Sequence, residues 1–329
     1  MYCNTASYGL PPRPAWEALQ SALDEWHGGR TSWEHWGRST EAARASFARL
    51  LDVDIGRVAV GSTVSELIGS VVTALPAEAR VVVPDVEFTS TLFPLLVQRR
   101  LDVRTVPAAR LADAIAEGVE AVAFSAVQMS TGEVADLDAI VAAAEGSGAI
   151  TLCDATQAVG WLPLQADRFD AVACGGYKWL MSPRGSAFLT VSDRLLERVV
   201  PHSAGWYAGE NVHESYFGPP LRLASSARRL DLSPAWFSWV GTQPALELIE
   251  RIGIPAIHAH DLSLANRFRA GIGLEPSDSA IVCADLPGGA ERMERAGIIA
   301  AVRGGRLRTS WHLYNDEHDV DRVLDVLDR

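Results

Sequence analysis

Cys174-Gly175-Gly176-Tyr177-Lys178-Trp179-Leu180 follows the mostly apolar run Phe169-Asp170-Ala171-Val172-Ala173. The run reads as a buried strand, and the paired glycines end it. Lys178 is thereby placed at a strand end among glycines, a tyrosine and a tryptophan, with Pro183, Arg184 and Gly185 close behind. Surface lysines usually stand on helix faces among other charges. These neighbours instead suit a desolvated amine of lowered pKa, as Schiff-base chemistry requires. A solvated loop lysine is the competing reading of this stretch alone, and the residues upstream bear on the choice.

The run Thr151-Leu152-Cys153-Asp154 ends another apolar strand in a carboxylate, 24 residues before Lys178, with Gln157 three positions on. Asp154 at such a place needs a cation or hydrogen-bond donors facing it, or it caps the following segment. Earlier still, the short strand 57–60 runs into Gly61-Ser62-Thr63-Val64-Ser65-Glu66, which opens a helix reaching residue 75. Free N–H groups and the positive dipole end make that junction an anion site, to which Ser62 and Thr63 add hydroxyls. An ordinary N-cap uses the same residue types. An anion loop, a strand-end aspartate and a strand-end lysine in that order are more specific than any one of them.

Between these points strands at 81–84, 103–106, 121–125 and 149–153 alternate with helices at 88–99, 111–117 and 137–144. Such alternation predicts an α/β fold with a mainly parallel sheet covered on both faces, and ligands gathered beyond the carboxyl ends of its strands. Helices are expected at 14–26 and 39–51, with Trp26, Trp33 and Trp36 either packing an interface or lining an entrance. After about residue 225 the pattern changes. Gly241-Thr242-Gln243-Pro244 punctuates the chain before a helix at 245–252, followed by a helix through 260–270, a strand at 280–285, a helix at 290–296, a strand at 307–311 and a closing helix at 317–327. The expected division is an arm (1–13), a large domain (14–230) and a small α+β domain (231–329).

With 329 residues, 48% hydrophobic and 21% charged, the chain has the make-up of an ordinary globular enzyme. No run of about 18 uncharged apolar residues occurs, and the start carries no secretory pattern, so a cytoplasmic protein with no membrane partner is expected. Cys3, Cys153, Cys174 and Cys283 lack paired spacing, which suits a reducing compartment and disfavours structural zinc; His258, His260 and Asp261 are likewise a poor ligand set. A net charge of −12 without any basic block argues against nucleic acid.

The stretch Asp154-Ala155-Thr156-Gln157-Ala158-Val159-Gly160 followed by Gly176-Tyr177-Lys178-Trp179 resembles the class V aminotransferase family of fold-type I pyridoxal phosphate enzymes. That group includes cysteine desulfurases, kynureninases and isopenicillin N epimerase-like proteins, and the likeness covers nearly the whole chain. It implies a seven-stranded-type sheet between helices, a smaller C-terminal α+β domain, pyridoxal 5'-phosphate as cofactor, an amino-acid substrate and a homodimer with shared active sites. By the same resemblance Lys178 bonds the cofactor and moves the substrate α-proton, and Asp154 keeps the pyridine nitrogen protonated. Gln157 bonds the phenolic oxygen, Ser62 and Thr63 take the phosphate, Phe88 stacks on the ring, and Gln128 and Tyr177 lie beside it. Thr242 reaches the phosphate of the other subunit. Arg308 matches the arginine that clamps the substrate α-carboxylate, with Asn4 contributing from the short arm. Alternation along the strand puts Arg306 on the same face, so it stays an alternative.

Departures narrow the chemistry. Residues 300–305 contain no cysteine where desulfurases carry a nucleophile, and Cys283 falls inside an apolar strand. Phe88 and Tyr177 stand where desulfurases have histidines, which points to the kynureninase and epimerase-like side. The leading reading is an aminotransferase, with a carbon–sulfur lyase or kynureninase/epimerase-like enzyme as the alternative. A cofactor-holding module without turnover is the rival from another class; the presence of both Lys178 and Arg308 argues against it. Trp206, Tyr207, His213 and Tyr216 either border the substrate pocket or pack a loop.

Overall fold

A computed structural model describes residues 1–328. Two helices lead, α1 (Arg13–His27) and α2 (Trp33–Leu50), followed by β1 (Val58–Gly61), α3 (Val64–Val72), β2 (Arg80–Pro84), α4 (Thr89–Leu96), β3 (Asp102–Val106), the single turn α5 (Leu111–Ala114), β4 (Ala121–Ser125), α6 (Leu137–Ser147), β5 (Ile150–Asp154), β6 (Ala171–Gly175), β7 (Ala187–Val191) and α7 (Asp193–Leu196). These strands form one seven-stranded sheet in the order β1-β7-β6-β5-β4-β2-β3. The run from β6 to β3 is parallel, whereas β7 lies antiparallel to both of its neighbours. Strands β1, β4, β5, β6 and β7 are buried along their whole length. Burial on both faces explains their near-continuous apolar sequences.

The chain continues through α8 (Trp236–Ile252), α9 (Ile254–Gly271), β8 (Ile281–Ala284), α10 (Gly289–Arg295), β9 (Ala301–Arg303), β10 (Arg306–Ser310) and α11 (Glu317–Leu327). Its three strands make a separate antiparallel sheet ordered β8-β10-β9. The amino-terminal arm joins that sheet, since Tyr2 pairs with Ile299 and Asn4 with Ser310. The first residues of the chain thus lie beside its last strand.

Several elements differ from the sequence expectation. Helix α8 begins nine residues before the expected 245, with Gly241 and Pro244 inside it, because Trp239, Leu246 and Ile249 bury against the core and the packing outweighs the local breakers. Helix α2 likewise begins at Trp33. Trp33 then packs on Trp206 and Trp236, and His213 and Tyr216 join the same aromatic cluster. Helices α4 and α5 are shorter than expected, and β7 and β9 add strands that the sequence pattern did not mark.

Candidate active site

The carboxyl ends of β5 and β6, the start of α3 and the loop into β7 border a cleft. Lys178 stands on the turn leaving β6. Gly176 N–H donates to Ser186 O at 2.9 Å, and Met181 N–H donates to Lys178 O at 3.0 Å. Two glycines press on this turn from outside. A Cβ on Gly9 would fall 2.0 Å from Lys178 O, and one on Gly160, whose φ is +116°, 2.7 Å from Trp179 O. Gly9 N–H also donates to Tyr177 O at 2.9 Å, so the arm is strapped across the turn. His312 completes the fixing, with Nε2 2.9 Å from Trp179 O and Nδ1 2.7 Å from Asp261.

Lys178 is 5% exposed, and burial pushes its pKa down to about 8 although Asp154 pulls the other way. Its Nζ lies 5.5 Å from the Phe88 ring centroid and 5.7 Å from that of Tyr177. Burial raises the Tyr177 phenol, against the pull of Arg184. Asp154 is buried at the end of β5, where its carboxylate accepts Thr156 N–H at 2.9 Å and the Thr91 hydroxyl at 3.2 Å. These donors provide what a strand-end carboxylate requires.

Glu87 was not legible as a site residue. It is buried behind Ser125, which lines the cleft, and accepts Ser125 N–H and Phe88 N–H at 2.7 and 2.8 Å, the Ser125 hydroxyl, and Gln128 Nε2 at 3.3 Å. Burial, assisted by Asp154, raises its pKa against those donors. Gln128 is therefore engaged with Glu87 and does not line the cleft with Lys178. Nothing in a lone Glu-Phe pair at a helix start marks the glutamate as turned inward.

Ser62, Thr63, Phe88, Asp154, Gln157, Tyr177 and Lys178 all line the cleft, together with Ser65, Thr156, Arg184 and Ser186, which the sequence reading left without a role. The α3 junction is already occupied by its own glutamate: Glu66 Oε2 accepts Ser62 N–H at 3.0 Å and Thr63 N–H at 3.2 Å, and Thr63 Oγ1 accepts Glu66 N–H at 3.3 Å. The Thr63-x-x-Glu66 spacing is the sequence signature of this capping box. Gln157 donates through Nε2 to Ala6 O at 2.9 Å and accepts the Trp179 indole N–H at 2.8 Å, tying the arm to the lysine turn. Thr242, expected to reach another subunit, is instead fully enclosed in its own chain, with its hydroxyl 2.9 Å from Ser186 Oγ and 2.7 Å from Ser238 O. Its place inside α8 removes it from the surface.

Arg308 on β10 is 1% exposed, whereas Arg306 is exposed. The Arg308 guanidinium donates to Met129 O at 2.8 Å, Asn4 Oδ1 at 3.3 Å and Ser7 Oγ at 2.6 Å, and its Nε has no partner. The short arm thus reaches this residue through two side chains. Burial, then the nearby Arg303, lowers its pKa to about 10. Cys283 lies opposite Arg308 across the sheet and donates to Ser130 O at 3.0 Å; burial raises its thiol pKa. Trp206, Tyr207, His213 and Tyr216 lie outside the cleft lining.

The family model described as Aminotransferase class-V matches residues 31–287, and the chain belongs to that family of pyridoxal phosphate-dependent enzymes. The uncharacterized aminotransferase YcbU of Bacillus subtilis is 25% identical over 95% of this chain and 90% of its own length. Isopenicillin N epimerase of Streptomyces clavuligerus is 28% identical over 87% of this chain and 83% of its own. A solved complex of the cystine C–S lyase C-DES with cysteine persulfide superposes with a TM-score of 0.89 at 21% identity, covering 99% of this chain and 96% of that one, a likeness of fold.

Proposed function

We propose that this member of the class-V aminotransferase family is an aminotransferase whose substrate is an α-amino acid held by Arg308 and deprotonated by Lys178. The observation that carries the reading is a desolvated lysine, lowered to about 8, in a cleft next to a buried guanidinium that has only neutral acceptors. The cleft residues fit pyridoxal phosphate. Ser62, Thr63 and Ser65 offer hydroxyls for a phosphate, Asp154 a carboxylate for the ring nitrogen, Phe88 a flat face and Lys178 an amine for the carbonyl. Bound there, the cofactor supplies an electron sink that makes an α-proton removable.

The chain's own groups do the rest. Arg308, which bonds the cleft-lining Met129, orients the α-carboxylate, since a planar guanidinium pairs with a carboxylate in two hydrogen bonds. Lys178, with a pKa near 8, takes and returns a proton at neutral pH. Asp154 is held as an acceptor by Thr156 and Thr91. Gln157 spends one amide hydrogen on Ala6 and keeps the other for the phenolic oxygen. Phe88, at the rim, shields the cleft from water. The working unit in this reading is a cytoplasmic homodimer, supported by the exposed apolar side chains of Phe93, Leu96 and Val97 on or beside α4, next to the cleft.

A carbon–sulfur lyase, kynureninase or epimerase would use the same residues as far as proton removal. The experiment is to incubate the purified protein with pools of amino acids. Accumulation of pyridoxamine phosphate together with the matching 2-oxo acid, without ammonia or sulfide, supports transamination; release of ammonia or sulfide, or inversion at the α-carbon, overturns it. Lys178→Ala is expected to abolish the visible absorbance of protein-linked cofactor.

A further inference from the structure

We propose that His312, outside the cleft, is a positioning residue for Lys178: its Nε2–H holds the turn that carries the lysine, and Asp261 holds the imidazole in that orientation. The inference rests on the reading that Lys178 is the reacting amine. His312 stands just past the end of β10, the strand that carries Arg308, and is not among the residues lining the cleft. Its side chain is fully buried, as are those of Asp261 on α9 and Trp179. The contact with Trp179 O therefore joins the end of the three-stranded sheet to the turn leaving the seven-stranded one.

The partners fix the hydrogen-bonding roles. A backbone carbonyl only accepts, so the 2.9 Å contact with Trp179 O requires a proton on Nε2. The 2.7 Å contact between Nδ1 and Asp261 Oδ2 requires another between ring and carboxyl. The group bonded to one ring nitrogen thus decides what the other presents to the turn. His312 is the one hydrogen-bond partner of the Asp261 carboxyl among the described residues, because Oδ1 has none. The neighbouring histidines of α9 are engaged elsewhere: His260 Nε2 lies 3.1 Å from Asn315 O, and His258 stacks on Trp161.

The consequence for Lys178 follows from its burial, the largest cause of its lowered pKa. No other hydrogen bond to Trp179 O is found among the described residues. Without His312 that carbonyl, one residue beyond the lysine, is released. A looser turn admits water to the ammonium, and hydration moves the pKa back toward the ordinary lysine value. The charged and titratable groups acting on the amine, Asp154, Arg308, Cys174 and Arg184, are untouched by a change at His312.

The sequence supplies the probe, because Lys178 is its only lysine. Apoprotein of the full chain is labelled with acetic anhydride from neutral to alkaline pH, and mass spectrometry separates the Lys178 peptide from that of the amino terminus. An asparagine amide reaches the place of Nδ1, a glutamine amide that of Nε2. His312→Asn keeps Asp261 partnered but frees Trp179 O, and is expected to raise the labelling midpoint of Lys178 by about one pH unit. His312→Gln keeps the bond to Trp179 O but leaves Asp261 alone; it should lower the urea midpoint and leave Lys178 as in wild type. Asp261→Asn, which donates to Nδ1 while Nε2–H stays on Trp179 O, should match wild type in labelling. Asp261→Leu lets the imidazole turn and should give the same rise as His312→Asn, which keeps the assignment testable if that variant fails to fold. A folded His312→Asn protein that labels as wild type, or Asn and Gln variants that shift Lys178 equally, overturns the assignment. Labelling involves no cofactor, so a protein that takes up no pyridoxal phosphate overturns the proposed function in a separate measurement.

Discussion

Arg44 and Arg308 are equally buried, each 1% exposed, yet their surroundings are opposite in charge. Arg44 on α2 is bound by Asp231 at 2.5 Å and Glu41 at 3.0 Å and donates to Val58 O at 2.6 Å. Burial works against its charge, but the two carboxylates outweigh it and raise its pKa. Arg308 has three neutral acceptors, no carboxylate and a second arginine nearby, and its pKa is pushed down to about 10. A buried cation with its counter-charge inside the fold is complete. One without it is built for an anion from outside, because an unpaired buried charge is otherwise too costly to keep.

The largest expected effect separates the two by stability. Arg44→Met strands the buried Asp231 and should cost about 3–5 kcal/mol in urea unfolding. Arg308→Met in the apoprotein should cost nothing or raise the midpoint, since it removes an unpaired buried charge. A loss matching that of Arg44→Met would break the comparison. On substrate, Arg308→Met should lower kcat/KM by about 2–4 kcal/mol in transition-state terms, the cost of removing one partner of a desolvated pair. An amine substrate lacking the carboxylate should be turned over equally by both proteins.

Lys178 extends the comparison to a cation that escapes its burial by losing its proton. Its folded pKa of about 8 lies below the ordinary lysine value, so between pH 8 and 10.5 the unfolded chain binds more protons and apoprotein stability rises with pH. Lys178→Met should be the more stable apoprotein at pH 7, by on the order of 3 kcal/mol, with the gap closing through that window in denaturation series at fixed ionic strength. The smallest effect concerns Arg308's neutral escort. Ser7→Ala should weaken substrate binding by about 1–2 kcal/mol, read as a rise in KM with kcat little changed, because it deletes one hydrogen bond to the guanidinium. An unchanged KM would remove Ser7 from the clamp.

The two arginines were unequally legible. Arg308 stood out because its strand resembled a family motif, while Arg44, in an amphipathic helix, looked like any helix arginine; its partner Asp231 lies 187 residues away. The parallel strands β4, β5 and β6 were legible because burial on both faces demands apolar runs. Strand β7 was not, since a short apolar segment after a loop carries no sign of its direction. Gly241 and Pro244 read as a break because breakers act locally, but α8 is held by packing on α1 and α2. The capping box at Thr63 and Glu66 was written in plain spacing, yet which N–H groups it takes depends on the glutamate rotamer.

The sequence by itself determined the alternation that makes a parallel sheet and the strand ends that carry Asp154 and Lys178, because residue periodicity and turn chemistry act over a few positions. Only the tertiary structure decided which charges face one another. Asn4, Ser7 and Met129 converge on Arg308 from 304, 301 and 179 residues away, and Gly9 and His312 close on the lysine turn from opposite ends of the chain. Burial and electrostatic pairing depend on distance in space, which chain folding brings about and no local pattern records.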